Sequence, residues 1–260
     1  MNRYVRKRIF MILTALCLTV ILVGCRENGK SAKSSRGSST PERISFVKKG
    51  YESAPFYWLD VSDSSSTPLG KDSMVHTIIK TEAGKIIGIE VPSKYDTLGK
   101  IAKFSSLGSA YKAILKESKA EFEKRRKSDM TDEVELSMLS PSDREKRVAI
   151  LKASKFGARE IAIKGEIETD STGNKVSKEY VDYIEAQISV GGGAEQTGPA
   201  LAYDKRYLTL TSAMPGVAKV YDKTYGGYFG SDSLILTERT KNTVISLDGM
   251  KQKHMTVSDD

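Results

Sequence analysis

A run of almost purely apolar residues from Ile9 to Val23 divides the chain into a leader and a body, and only the body is left to fold. Thr14 and Thr19 are its weak exceptions, and the basic residues before it are Arg3, Arg6, Lys7 and Arg8. A basic end followed by an apolar stretch of about 15 residues is typical of an export signal. An uncleaved membrane span is the alternative, but a span usually needs about 20 apolar residues. We therefore expect the leader to be removed.

The run ends in Leu22-Val23-Gly24-Cys25, which resembles the lipobox of bacterial lipoproteins. In that family the cysteine thiol takes a diacylglyceryl group and a peptidase cuts before it, where a small residue such as Gly24 fits. The resemblance covers residues 1–25 and implies a signal peptide at 1–24, cleavage between Gly24 and Cys25, and lipidation of Cys25. Dual acyl chains of the palmitate type would make membrane anchoring stable. The expected location is the cell envelope, in the outer membrane or on the outer face of the plasma membrane.

A polar stretch separates the cysteine from the body. Residues 31–40 read SAKSSRGSST and offer nothing to bury. We predict a flexible tether at residues 25–41, a single α+β domain at 42–250 and a frayed polar tail at 251–260. A linear binding epitope within the tether is the alternative interpretation.

Charge and cysteine content exclude several functional classes for the body. The chain has 41 Lys and Arg against 33 Asp and Glu, and without the four basic residues of the leader 37 remain, a formal charge of about +4. This excess is too small and too scattered to indicate nucleic-acid binding. Because Cys17 and Cys25 are the only cysteines, the body can hold no disulfide and no zinc–cysteine site. His76 and His254 are the only histidines and lack metal-ligand spacing, so we expect no metal and no cofactor.

Alternating apolar residues predict a largely antiparallel sheet. Short strands are expected at 44–49 and 56–61, and the clearest hairpin joins 75–79 to 87–91 through a turn at residues 82–84. Further strands are predicted at 161–167, 180–190, 207–210, 217–221, 234–237 and 244–247, with 180–190 paired to the strand before it.

Two helices are predicted between the hairpin and the later strands. The first, at 97–127, carries one apolar stripe, formed by Leu107, Tyr111, Ile114, Leu115, Ser118 and Phe122. The second is capped by Ser140, has Pro141 in its first turn and ends near Gly157. We predict an α+β fold in which a mainly antiparallel sheet packs against these two inserted helices. Docking of a partner helix by the first stripe is the alternative.

No catalytic motif in the sequence is complete. The Ser-x-x-Lys pairs at Ser45 and Ser109 lack the further elements of penicillin-binding enzymes. Glycan hydrolysis needs two acids at a defined distance, and the sequence marks no such pair. The acids available for it in the body include Glu133, Glu135, Asp182 and Glu185.

The segment YDKTYGGYF has the most unusual local composition in the body. Its aromatic residues around two glycines are Tyr221, Tyr225, Tyr228 and Phe229. Tyrosine combines a broad apolar face with a polar tip, which suits recognition of a peptide or a sugar. The alternative is a turn whose aromatic rings pack over the edge of the sheet. We predict this segment as the binding site of the chain.

These patterns favour a noncatalytic lipoprotein that is held at a membrane through lipid on Cys25. Its expected partner is a protein or a glycan of the envelope. A cell-wall or glycan hydrolase that uses acidic residues is one alternative function. A structural subunit of an envelope complex is the other.

Overall fold

The computed structural model describes residues 41–62, 68–189 and 201–258, and within these ranges the fold is a mixture of one large sheet and five helices. The helices are α1 Phe46–Gly50, α2 Leu98–Ile101, α3 Leu107–Asp129, α4 Glu133–Ser137 and α5 Pro141–Ala153. The strands are β1 Glu42–Ile44, β2 Phe56–Ser62, β3 Val75–Glu82, β4 Lys85–Glu90, β5 Lys155–Phe156, β6 Ile161–Ala162, β7 Gly165–Thr169, β8 Val176–Ala186, β9 Leu201–Leu210, β10 Ser212–Ala213, β11 Ala218–Val220, β12 Lys223–Phe229, β13 Ser233–Glu238, β14 Thr243–Ile245 and β15 Met255–Val257. The structure confirms the prediction that the fold combines a large sheet with a few helices.

The large sheet is antiparallel only in part. Its main path runs β10-β12-β13-β2-β3-β4-β8-β7-β15, with β11 beside β12, β6 beside β4 and β9 beside β8. Within it, β4 with β8, β7 with β15 and the short pair β5 with β9 are parallel. Strands β1 and β14 form a separate two-stranded parallel sheet. Parallel neighbours need a long connection, and the segment with α2 to α5 supplies it between β4 and β8.

The sheet closes on itself through the segment that contains β9 and β10. Residues 203–210 of β9 pair with residues 179–186 of β8. The Thr211 amide then donates to the Phe229 carbonyl at 2.9 Å, and β10 pairs with β12. The strands β2, β3, β4, β8, β9, β10, β12 and β13 therefore form what we call the closed ring.

Alternate side chains of the ring strands fill its interior, because successive residues of a strand point to opposite faces. Trp58, Ile79, Val181, Leu208 and Tyr228 belong to one buried apolar cluster inside the ring. Phe46 and Val47 of α1 join this cluster, together with Ile44, Ile163 and Ile245. Helix α1 therefore fills one end of the ring.

Helix α3 covers the outer face of the ring. Its residues Leu107, Tyr111 and Ile114 pack with Leu59 and Ile78 in a second buried cluster. The predicted stripe is thus used against the chain's own sheet, and it is not available to dock a partner helix. Among the described helices, none combines the length and apolar character needed to cross a membrane.

Several predicted element boundaries need correction. The strand expected at 44–49 is β1 followed by α1, and the helix expected at 97–127 is divided into α2 and α3. The division lies before Leu107 because Ser106 is extended and its Oγ accepts from the Ser109 amide at 3.2 Å, which starts α3 anew.

The second predicted helix begins as expected and ends early. Ser140 Oγ accepts from the Asp143 amide at 3.2 Å, and the helix stops at Ala153, before the expected Gly157. The expected polar tail at 251–260 contains β15, which pairs with β7 and extends the folded part beyond residue 250. The hairpin of β3 and β4 and the antiparallel pair of β7 and β8 are as predicted.

Candidate functional site

The end of the closed ring opposite α1 opens into a cleft of about 610 Å³. It is lined by residues 205–209 of β9, by residues 231–233 between β12 and β13, and by side chains of β2, β3, β4 and β8, among them Asp60, Thr77, Glu90 and Glu185. We call this cleft the mouth. Its volume lies in the range of small-ligand sites, and several of its polar groups converge on one space.

Glu185 is the most buried carboxyl group of the mouth. It lies on β8 two residues after Tyr183, so both side chains face the inside of the ring. Thr77 Oγ1 donates to Glu185 Oε1, and Arg206 Nε donates to Glu185 Oε2 at 3.2 Å. Burial raises the pKa of Glu185, against the opposing effects of the Thr77 hydrogen bond and the Arg206 charge. Burial therefore outweighs these two interactions in their effect on the pKa of Glu185.

Asp60 interrupts the apolar strand β2 and faces the same side as Trp58. Burial raises its pKa, and a hydrogen bond from Ser233 and the nearby His76 act in the opposite direction. Asp60 Oδ1 is buried and accepts no hydrogen bond within the described chain. The pKa of the Tyr183 hydroxyl is raised by burial and then by the neighbouring carboxyl groups of Glu185 and Asp60. All three residues line the mouth.

Glu90 adds a third carboxyl group at the rim. Its Oε2 accepts from the Ile188 amide at 2.7 Å, which holds the chain leaving β8 against the end of β4. His76 is exposed and its Nε2 is hydrogen-bonded to Ser62 Oγ. The mouth thus combines the four carboxyl groups of Asp60, Glu90, Glu185 and Asp232 with one lysine, one arginine, two tyrosines and one histidine.

The filled end of the ring holds a second carboxyl pair with a different environment. Asp248 accepts from Ser45 Oγ at 2.7 Å and from the amides of Val47 and Lys48 at 2.8 and 3.1 Å. Its own amide donates to Glu179 Oε1, and Glu179 is fully buried. Burial and the neighbouring Asp248 raise the pKa of Glu179 to about 8. This pair fastens α1 to β8 and is a structural element without access to the mouth.

The residues predicted from the sequence as sites are not brought together. Cys25 and the cleavage position Gly24 lie outside the described residues. Tyr225 is fully buried in the apolar cluster outside the ring, and Tyr228 is fully buried in the cluster inside it. Tyr221 is 55 % exposed and Phe229 is 36 % exposed. The four aromatic side chains therefore do not form a common surface.

The mouth was missed because its residues come from distant parts of the sequence. Of the acids considered for hydrolysis, Glu133, Glu135 and Asp182 are exposed, and only Glu185 lies in the mouth. Two local signals were present. An acid interrupts the apolar run FYWLDV, and Tyr183 and Glu185 share a face of YVDYIEA.

Comparisons with protein-family models, with curated proteins and with solved structures found no match to this chain. Within the described residues no group of His, Cys, Asp and Glu is arranged to hold a metal ion.

Proposed function

We propose that the chain is an exported, lipid-anchored and noncatalytic protein that binds a protein or another component of the cell envelope at the mouth. One observation carries the binding part of this proposal. The closed ring is filled by α1 at one end, and at the other it is open and lined by Asp60, Glu90 and Glu185. A concave site with a few convergent polar groups is the usual form of a binding site.

The charges of the mouth indicate what kind of group enters it. Arg206 is already engaged by Glu185 and by Asp204, with N···O distances of 3.2 and 3.1 Å. Carboxyl groups accept hydrogen bonds when ionised and donate one when protonated. A ligand that carries ammonium, guanidinium or hydroxyl groups would therefore suit Asp60 and Glu90.

The anchoring part of the proposal is supported by the sequence of the first 41 residues. Lipid on Cys25 would hold the chain at a membrane, and the polar tether 25–41 would allow the body to reach partners in the envelope. The first described strand, β1, begins at Glu42.

In-cell photo-crosslinking tests the binding function. A photo-reactive phenylalanine derivative replaces Ser231 at the rim of the mouth, in the full chain and in cells that make it naturally. We expect a discrete crosslinked product from this position, and we expect Glu185→Gln in the same chain to reduce its yield severalfold. The matched control places the same residue at Lys112, which is exposed on α3. A product of equal yield from both positions, or no product from position 231, would contradict binding at the mouth.

A cell-wall or glycan hydrolase is the second candidate function, and the buried carboxyl groups favour it. Glu185 and Asp60 share one cleft, and burial raises the pKa of each. A glycosidase needs one carboxyl group that keeps its proton as a general acid. If the purified chain degrades peptidoglycan and Glu185→Gln abolishes this activity, the hydrolase replaces the noncatalytic proposal.

A further inference from the structure

Strand β9 has an edge that is paired at both ends and open between them. The Gln187 amide donates to the Ala202 carbonyl, so the even-numbered residues of β9 bond to β8. In an antiparallel pair, alternate residues point their backbone N–H and C=O groups away from the partner strand. The odd-numbered residues of β9 therefore point these groups away from β8. On that side Leu201 is opposite Lys155 of β5, and the Thr211 amide donates to Phe229. Between these points the described chain offers no strand to β9.

The open edge forms one wall of the mouth. Five consecutive residues, 205–209, line the cleft. Side chains of consecutive strand residues point to opposite faces, so a cleft on one face would be lined by every second residue only. A lining by consecutive residues therefore indicates that the edge of the strand, with its backbone groups, borders the cleft. The outward backbone groups are those of Tyr203, Lys205, Tyr207 and Thr209. At about 3.4 Å per residue this edge is about 20 Å long, which matches an extended peptide of about six residues.

The charges that face the edge favour a basic occupant. Both cations of this stretch of β9 are already paired, Lys205 with Asp182 at 3.3 Å and Arg206 with Glu185. In contrast, Asp60, Glu90 and Asp232 form no ion pair with a lysine or arginine in the described ranges, although each lines the mouth. Asp60 has His76 and the already paired Arg206 nearby. An incoming strand would therefore place its side chains next to an excess of carboxyl groups.

We infer that the mouth receives an extended peptide with basic side chains, which adds to β9 as a further strand. This inference rests on the proposed function, because it requires the mouth to be the binding site. Addition of a strand to a free sheet edge is a known mode of peptide recognition, in which backbone hydrogen bonds give affinity and side-chain contacts give specificity. Here the outward amides and carbonyls of Lys205 and Tyr207 would pair with the peptide, and Asp60 and Glu90 would select its charge.

Defined peptides test this inference with the full chain in detergent. The probe is an eight-residue peptide in which lysine and threonine alternate. A second peptide has glutamate at the lysine positions, and a third carries methyl groups on every second backbone nitrogen of the original sequence. We expect the first to bind at least tenfold more tightly than either of the others, because charge and backbone donors each contribute to the complex. Equal binding of the methylated peptide, or no binding of the first peptide, would overturn strand addition.

Two substitutions at one position separate backbone recognition from side-chain recognition. Tyr207→Pro removes an outward N–H and leaves the bonds to β8 intact, whereas Tyr207→Ala keeps the N–H and removes the ring. We expect proline to weaken lysine–threonine peptide binding roughly tenfold and alanine to change it less than threefold. Loss of binding on substitution by alanine would contradict strand addition, because the tyrosine ring and not the backbone would then hold the peptide. Since the methylated peptide is tested on the unaltered chain, the inference stays testable even if the proline variant does not fold.

The outcomes distinguish this inference from the proposed function. A crosslinked product from position 231 together with equal binding of all three peptides would retain the mouth as a binding site and reject the strand. A dimer in sedimentation experiments that Tyr207→Pro dissociates would make a second copy of the chain the occupant, which also rejects a basic peptide.

Discussion

The carboxyl groups of Glu179 and Asp248 meet inside the folded chain without a cation between them. Asp248 gains three hydrogen bonds from α1 and its preceding serine, which stabilise a charge on this group. Glu179 has only the Asp248 amide, and its Oε2 is buried without a hydrogen-bond partner in the described chain. Two adjacent buried carboxylates repel each other, so the pair keeps a proton, and Glu179 is the group that holds it.

This pair predicts a pH dependence of stability. The pKa of Glu179 is about 8 in the folded chain and near 4.5 when it is unfolded. The folded state therefore binds the extra proton, and its stabilising effect is complete below pH 4.5 and is lost as the pH rises through about 8. We expect Glu179→Gln to flatten this decline and to be more stable than the unaltered chain at pH 8 by about 2 kcal/mol or more. Urea denaturation at pH 5, 6.5 and 8 measures the free energy of unfolding of both chains.

The control for this experiment is Glu166→Gln, which changes an exposed glutamate of β7. It should leave the pH dependence unaltered. Asp60, Glu185 and Asp248 contribute to the slope that remains in Glu179→Gln, because burial raises the pKa of each of them as well. If Glu179→Gln and Glu166→Gln lose stability equally between pH 5 and pH 8, the buried pair is not protonated as described.

At the scale of single elements, local patterns predicted those elements whose stability is local. The alternation of β3 and β4 and the cap at Ser140 are complete within short stretches, and both predictions are confirmed. The sequence pattern predicts a strand at the position of helix α1, because Phe46 and Val47 favour strands and the contact that starts the helix is remote in sequence. The carboxylate of Asp248, about 200 residues away, accepts the amides that begin this helix. A contact of this kind leaves no local trace in the sequence.

The same reasoning explains the aromatic segment and the mouth. Tyr225 and Tyr228 are three residues apart on β12, so a strand places them on opposite faces, and a shared surface was possible only if the segment were a loop. Each acid of the mouth is an unremarkable residue in its own strand. Their convergence depends on the pairing of β4 with β8, which the sequence does not specify.

Helix α3 predicts a second measurable effect. Ile114 is fully buried between this helix and the ring. We expect Ile114→Ala to destabilise the chain by about 2–5 kcal/mol, because it removes buried methyl groups and leaves a cavity. Val134→Ala in α4 is the matched control, since Val134 is 67 % exposed and should change stability by less than about 0.5 kcal/mol. Thermal unfolding followed by circular dichroism compares the two. Equal effects would show that α3 is not packed on the ring.

At the scale of the whole molecule, closure of the ring separates two ends with different properties. The end that contains α1 is filled by apolar side chains, and it also lies next to β1, where the expected tether joins the body. The mouth lies at the opposite end of the ring strands. The closed ring therefore has a cleft at one end and an apolar filling at the other.

The mass and location of the mature chain test this account most directly. Intact-mass analysis of the protein from cell envelopes should find a product that begins at Cys25 and carries diacylglyceryl, and Cys25→Ser should release the chain from the membrane fraction. Both results follow because lipid on this one sulfur would be the anchor. A membrane-bound product that still begins at Met1 without added mass would contradict the account, as would a Cys25→Ser chain that fractionates like the unaltered protein.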